Sequence, residues 1–160
     1  MKVGEIMTRD VSLASLGHKL RDVAAEMKKR DIGVLPVVDK DRLVGMITDR
    51  DIAVRGISQG HGPEASVGDV MSTEVKYCFE SDEIGDLAQT MADEQIRRLP
   101  VLNEKKRLVG IVSLGDLATG RDDGSAKIPD QPSHHAHLAK ALSGISKQRR
   151  RPTKSAKDLA

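Results

Sequence analysis

Two short patterns in this chain have the residue types and spacing to hold a ligand: Thr48-x-x-Asp51 and Ser113-x-x-Asp116, each closing an apolar, β-rich run. A hydroxyl where a strand gives way to a helix can cap the helix, and a carboxylate three residues later lies in the first turn. That carboxylate can accept hydrogen bonds from the two hydroxyls of a ribose, while the backbone N–H groups of the helix start favour a phosphate. The same spacing also describes a capping box, in which hydroxyl and carboxylate serve only the helix start. Both readings stand on spacing alone.

Other groups point to chemistry less directly. Ser133-His134-His135-Ala136-His137 places three histidines together without a carboxylate at helical spacing, so no metal site is assigned. Cys78 is the single cysteine, which excludes an intrachain disulfide and a multi-thiolate zinc site and agrees with a reducing compartment. Beside Tyr77 and Phe79 it reads as a packed strand residue. No Ser/His/Asp or Cys/His set, glycine-rich phosphate loop or acid/base carboxylate pair is present, and no catalytic residue is assigned.

The elements that position the two patterns come from an internal repeat. Ile6-Met7-Thr8 matches Val70-Met71-Ser72, and Ile32-x-x-Leu35-Pro36-Val37 matches Ile96-x-x-Leu99-Pro100-Val101, both at an offset of 64. One residue inserted in the second copy's turn shifts the remainder, so Gly45-Met46-Ile47-Thr48-x-x-Asp51 matches Gly110-Ile111-Val112-Ser113-x-x-Asp116 at an offset of 65. Each copy reads as strand, helix, strand, strand, helix. Leu20, Val23, Ala24 and Met27 carry the first helix face, with Val34–Val38 and Leu43–Thr48 as strands; Ile84, Leu87, Ala88 and Met91, then Arg98–Leu102 and Leu108–Ser113, repeat the order. The fold class is α+β, with two β-α-β-β-α repeats over residues 1–60 and 61–120, and the glycine-rich stretch 56–63 as connector. A repeat of this size buries too little apolar surface alone, so the two are expected to pack face to face about a pseudo-two-fold axis.

Residues 121–160 break the pattern and form a C-terminal tail. Leu138, Leu142 and Ile145 can line one face of a short helix started by Ser133, and the basic run 147–154 that follows reads as disordered. Residues 1–120 carry 17 Lys and Arg against 20 Asp and Glu, whereas 121–160 carry nine against four. The tail could therefore contact an acidic protein or a nucleic acid, although two aromatics in the whole chain argue against stacking on single-stranded nucleic acid. The N-terminus lacks the apolar stretch of a signal peptide and no run reaches membrane-spanning length, so the expected location is cytoplasmic.

The duplicated I-x-x-L-P-V, hairpin and G-h-h-[ST]-x-x-D signature resembles the cystathionine-beta-synthase (CBS) domain family over residues 5 to about 119, in the manner of standalone bacterial CBS pairs. The resemblance implies a tandem module binding adenosine-containing ligands such as AMP, ADP, ATP, NAD or S-adenosylmethionine in clefts between the repeats. It implies no required cofactor, a homodimer, and a role in energy sensing in which ligand binding is transmitted to a protein partner. Carried over by position, one site comprises Thr8, Val11 and Ile32 with Arg97, Ser113 and Asp116. Its mirror comprises Ser72, Val75 and Ile96 with Gly33, Thr48 and Asp51. The first ranks higher for a phosphorylated ligand because Arg97 stands where its mirror has Gly33, although Arg50 beside Asp51 could compensate. The alternative is a ligand-free dimeric scaffold whose tail does the binding.

Overall fold

In the computed structural model, residues 1–119 and 132–146 are described; the basic run 147–154 and most of the stretch before the last helix lie outside them. The chain orders as α1 (Val3–Ile6), β1 (Ala14–Ser15), α2 (Leu20–Arg30), β2 (Val34–Asp39), β3 (Arg42–Thr48), α3 (Asp49–Asp51), β4 (Cys78–Phe79), α4 (Ile84–Glu94), β5 (Arg98–Leu102), β6 (Leu108–Ser113), α5 (Leu114–Thr119) and α6 (Pro132–Ser146). Apart from α1, which the repeat does not predict, and the tail helix α6, this is the α+β order expected from the repeat. Two three-stranded sheets form, β1-β2-β3 and β4-β5-β6. Their registers repeat, since Ala14 pairs in parallel with Val37 and Cys78 with Val101. Cys78 is buried, with its Sγ 3.9 Å from the Pro100 carbonyl.

Local chemistry explains the boundaries. Helices α2 and α4 each end on a residue in the left-handed region, Asp31 (φ 54°) and Gln95 (φ 54°), which turns the chain sharply into the next strand. Lys40 and Asp41, at φ 48° and 64°, form the two-residue turn between β2 and β3. The stretch 56–63 differs from the connector expected. From α3 the chain continues through wider π-helical turns at Ile52–Gly56 and a 3₁₀ turn at Ile57–Gln59, and stops where Gly60 reaches φ 80°. The connector is therefore helical over its first part.

The chain divides into two compact units. One, the sheet unit, holds Thr8–Phe79 and Pro100–Ile111; the other, the helical unit, holds Met1–Met7, Glu80–Leu99 and the described residues from Val112 onward. In the sheet unit, Leu20, Val23 and Met27 of α2 bury against Leu35 and Val37 of β2, Ile47 of β3, and Val67 and Val70. In the helical unit α6 packs on α4 and α5. This packing corrects two readings of the apolar pattern. Ala24 of α2 is exposed whereas its counterpart Ala88 is fully buried, because α6 covers α4 and the tail occurs only once in the chain. On α6 the buried residue is Ala141; Leu142 is 45% exposed, and Leu138 and Ile145 are half-buried. The helices meet through small residues: a Cβ on Gly144 would lie 2.4 Å from that of Ala92. The helix begins at Pro132, one residue before the expected Ser133, and proline is well suited to a first helical position.

Each repeat's leading segment is hydrogen-bonded to the other repeat. In the helical unit Val3 N–H donates to the Asp82 carbonyl (2.9 Å) and Gly4 N–H to Glu80 (2.9 Å); in the sheet unit Val67 N–H donates to His18 (2.8 Å) and Gly68 N–H to Leu16 (3.0 Å). Further along, Met46 and Ser72 exchange two bonds of 2.9 Å, as do Thr8 and Ile111. Exposed ion pairs flank the segments: Lys2 Nζ lies 2.6 Å from Glu83 and Lys19 Nζ 2.5 Å from Glu64. The hydrogen bond from the lysine holds each glutamate below its usual range. Both carboxylates thus favour the folded state above the ordinary glutamate value, and that contribution fades as pH falls through the lowered one.

The Met46–Ser72 bridge requires glycine at position 45, since a Cβ there would sit 2.6 Å from Met71 Sδ and 2.9 Å from the Ser72 carbonyl oxygen. Gly45→Ala is expected to destabilise the protein by about 1–3 kcal/mol through overpacking against backbone. Chemical denaturation followed by circular dichroism measures it, and Gly17→Ala, where a Cβ meets nothing within 4 Å, serves as the control.

Candidate functional site

Thr48 closes β3 with extended backbone (φ −118°, ψ 159°), and its Oγ1 accepts the Asp51 N–H at 2.9 Å while Asp51 Oδ2 accepts the Thr48 N–H at 3.0 Å. The second copy forms the same box. Ser113 Oγ accepts the Asp116 N–H at 3.2 Å, and Asp116 Oδ2 accepts from the Ser113 N–H at 2.6 Å and its hydroxyl at 2.7 Å. Capping is therefore realised in both copies. It uses the Oδ2 oxygen each time, so the question for ligand chemistry is what surrounds Oδ1.

The answer differs between copies. Asp51 Oδ1 lies 3.8 Å from Arg55 Nε, one helical turn on, and Arg55 Nη1 also reaches the Met71 carbonyl at 3.4 Å. Asp116 has Gly120 at the corresponding sequence position, and no described residue bonds its Oδ1. Arg55, an i+4 partner, was not singled out from the sequence, although that spacing marks it. Arg50, expected to compensate for the absent arginine of this copy, makes no ion pair with Asp51. Its backbone N–H donates to Asp49 Oδ1 at 2.7 Å, its side chain is exposed, and the cation near Asp51 is Arg55.

Around each box a carbonyl fixes the preceding turn. Gly33 accepts the Asp49 N–H at 3.1 Å, and Arg97 accepts the Leu114 N–H at 2.9 Å. Here too the copies diverge, because a Cβ on Gly33 would come 2.9 Å from Asp49 Oδ2. The first helix start therefore carries a second carboxylate over Gly33, where the other copy has Leu114 and the exposed Arg97. An added acid repels phosphate; an arginine attracts it.

Of the predicted residues, Gly33, Thr48, Asp51 and Ser72 come together in the sheet unit, with Ser72 bridged to Met46 two residues before Thr48. Val75 is half-buried in the same unit, three residues beyond Ser72. Ile32 packs at the edge of the apolar core, Val11 is half-buried, and the exposed Thr8 is bridged to Ile111 on β6, the strand that ends at Ser113. Arg97, Ser113 and Asp116 gather in the helical unit, where Ile96 N–H is tied to the Met91 carbonyl at 3.1 Å. Among the described residues no grouping of His, Cys, Asp or Glu could hold a metal ion. His137 lies over Gly85 of α4, within 2.9 Å of where a Cβ would stand, and so has a packing role. No helix among the described residues is long and apolar enough to cross a membrane.

Two helix starts with one architecture, each a strand-terminal hydroxyl boxed with a carboxylate, are matched by the family model for the CBS domain, which covers residues 3–56 and again 67–121. The chain belongs to the CBS domain family. The CBS domain-containing protein YhcV of Bacillus subtilis is 42% identical over 119 residues, spanning 74% of this chain and 84% of its own length. Among solved structures, the CBS domain pair of protein MJ0100, in complex with 5′-methylthioadenosine and S-adenosyl-L-methionine, matches with a TM-score of 0.66 at 28% identity, over 74% of this chain and 93% of that one. CBSX2 in complex with AMP matches with a TM-score of 0.64 at 26% identity, over 72% and 91%.

Thr48→Ala and Ser113→Ala are each expected to lower stability by about 0.5–2 kcal/mol through loss of the cap, with Thr48→Ser nearly neutral. Equilibrium urea unfolding distinguishes these outcomes.

Proposed function

We propose that the chain is a non-catalytic regulatory module that binds an adenosine-containing nucleotide and, as a homodimer, passes the bound state to a protein partner in the cytoplasm, as an energy sensor would. The observation that carries this reading is the Oδ1 oxygen of Asp116, which the capping box leaves without a partner among the described residues. There Asp116 accepts hydrogen bonds from the ribose hydroxyls, and Arg97, whose carbonyl is tied to the same helix start, attracts phosphate. AMP in CBSX2 and the two adenosyl compounds in MJ0100 support the ligand class. The Asp51 copy ranks second: Arg55 stands near its free oxygen and Asp49 adds negative charge.

A second reading is favoured by the way hydroxyl and carboxylate satisfy one another in both copies: the boxes are purely structural, and a ligand-free dimeric scaffold contacts a protein or nucleic acid through the basic tail. Titration calorimetry with AMP, ADP, ATP, NAD and S-adenosylmethionine separates the two. The sensor reading expects binding to at least one, weakened roughly ten- to a hundredfold by Asp116→Ala and less by Asp51→Ala. Absence of heat with all five, together with a partner pull-down lost on deleting residues 121–160, would establish the scaffold instead.

A further inference from the structure

At the turn end of β3, away from Thr48, the sheet unit contains a cavity of about 320 Å³ with three cations on its wall: Arg42 from the start of β3, and Lys105 and Lys106 from the turn between β5 and β6. The volume lies within the range of small-molecule sites. Among the described residues none of the three cations forms an ion pair. The nearby acid Asp41 faces Arg107 at 3.8 Å instead, and neither Glu74 nor Glu104 lines the cavity. Three unneutralised cations around one space repel each other, and an anion relieves that repulsion.

The turn is built to hold this arrangement. Asn103 Oδ1 accepts the Arg107 N–H at 3.0 Å, its carbonyl accepts the Lys106 N–H at 2.8 Å, and Lys106 is held at φ 57°, a conformation that a lysine seldom adopts. The residue inserted in the second repeat falls within this turn. Thr73, Val75 and Tyr77 add a hydroxyl, an apolar side chain and an aromatic ring to the lining, and the chain turns tightly there, with the Val75 N–H donating to the Thr73 carbonyl at 3.0 Å. Tyr77 is 45% exposed, and its ring meets Phe79 edge-on at 5.6 Å, which fixes its orientation.

We infer that this cavity is a second anion site that takes a small phosphorylated ligand, with the charged groups on Arg42, Lys105 and Lys106 and an aromatic or apolar part against Tyr77, Val75 and Val44. Its lining includes Val75 of the residues predicted for the Asp51 site but not Gly33, Thr48, Asp51 or Ser72.

Tyr77 is the only tyrosine and there is no tryptophan, so intrinsic emission reports on this cavity directly. Titrating the full chain with inorganic tripolyphosphate is expected to give a saturable change in Tyr77 emission. Lys105→Ala combined with Lys106→Gly, which suits the turn's positive φ, is expected to weaken it at least about tenfold, as is Arg42→Ala, with unchanged circular dichroism. Asp116→Ala is expected to leave it intact, and phenyl phosphate to bind more tightly than inorganic phosphate. A silent Tyr77, a response indifferent to both cation variants, one lost on removing residues 147–160 or with Asp116→Ala, or equal binding of the two phosphates would overturn the assignment.

Discussion

The architecture depends on backbone hydrogen bonds through which each repeat gives its leading segment to the other. Residues 1–4 bond to 80–84, residues 65–68 to 16–20, Ser72 to Met46, and Thr8 to Ile111. Each bond contributes only about 0.5–1.5 kcal/mol net, but leaving these groups buried and unpaired would cost more. Exchange also makes the compact units differ from the sequence repeats, so Met1–Met7 belongs with the second repeat's helices. Either half deprived of the other would lose strand partners as well as apolar cover.

The exchange also places the candidate chemistry. Ser72 runs beside β3 just before Thr48, with Gly45 permitting the approach, and Arg55 reaches back from the helix to the Met71 carbonyl. The capping boxes keep the two carboxylates in fixed rotamers through Oδ2, and a ligand meeting such preorganised acceptors loses less free energy to ordering them. Helix capping thus uses one oxygen of each carboxylate, and the proposed function assigns the other to the ribose.

Pseudo-symmetry is broken by a few side chains. Asp49, Arg55 and Gly33 of the first copy correspond in sequence to Leu114, Gly120 and Arg97 of the second, so the two helix starts differ in the charged residues they carry. The inserted turn residue and the single α6 add further asymmetry, the first by presenting Lys105 and Lys106 together, the second by burying Ala88 while Ala24 stays exposed. Duplication supplied the frame, and the differences between copies decide which surface is suited to an anion.

Periodicity, turn residues and the repeat offset placed strands β2, β3, β5 and β6 to within a residue, because strand alternation, helix spacing and the hydroxyl–carboxylate box are local and need no knowledge of distant contacts. What they left open is which copy a segment pairs with: Thr8 could as well lie along its own repeat's strand, since the duplicated partners are chemically alike. The family resemblance set Thr8 with the second repeat's Ser113 and Asp116, and the tertiary structure bridges it to Ile111 of that repeat. It likewise decided that Arg55 rather than Arg50 faces Asp51, that α6 buries Ala141 and leaves Leu142 in water, and that Arg42 meets lysines more than sixty residues away. Each of these depends on which surfaces meet when the chain closes, and that is a property of packing between segments rather than of any segment alone.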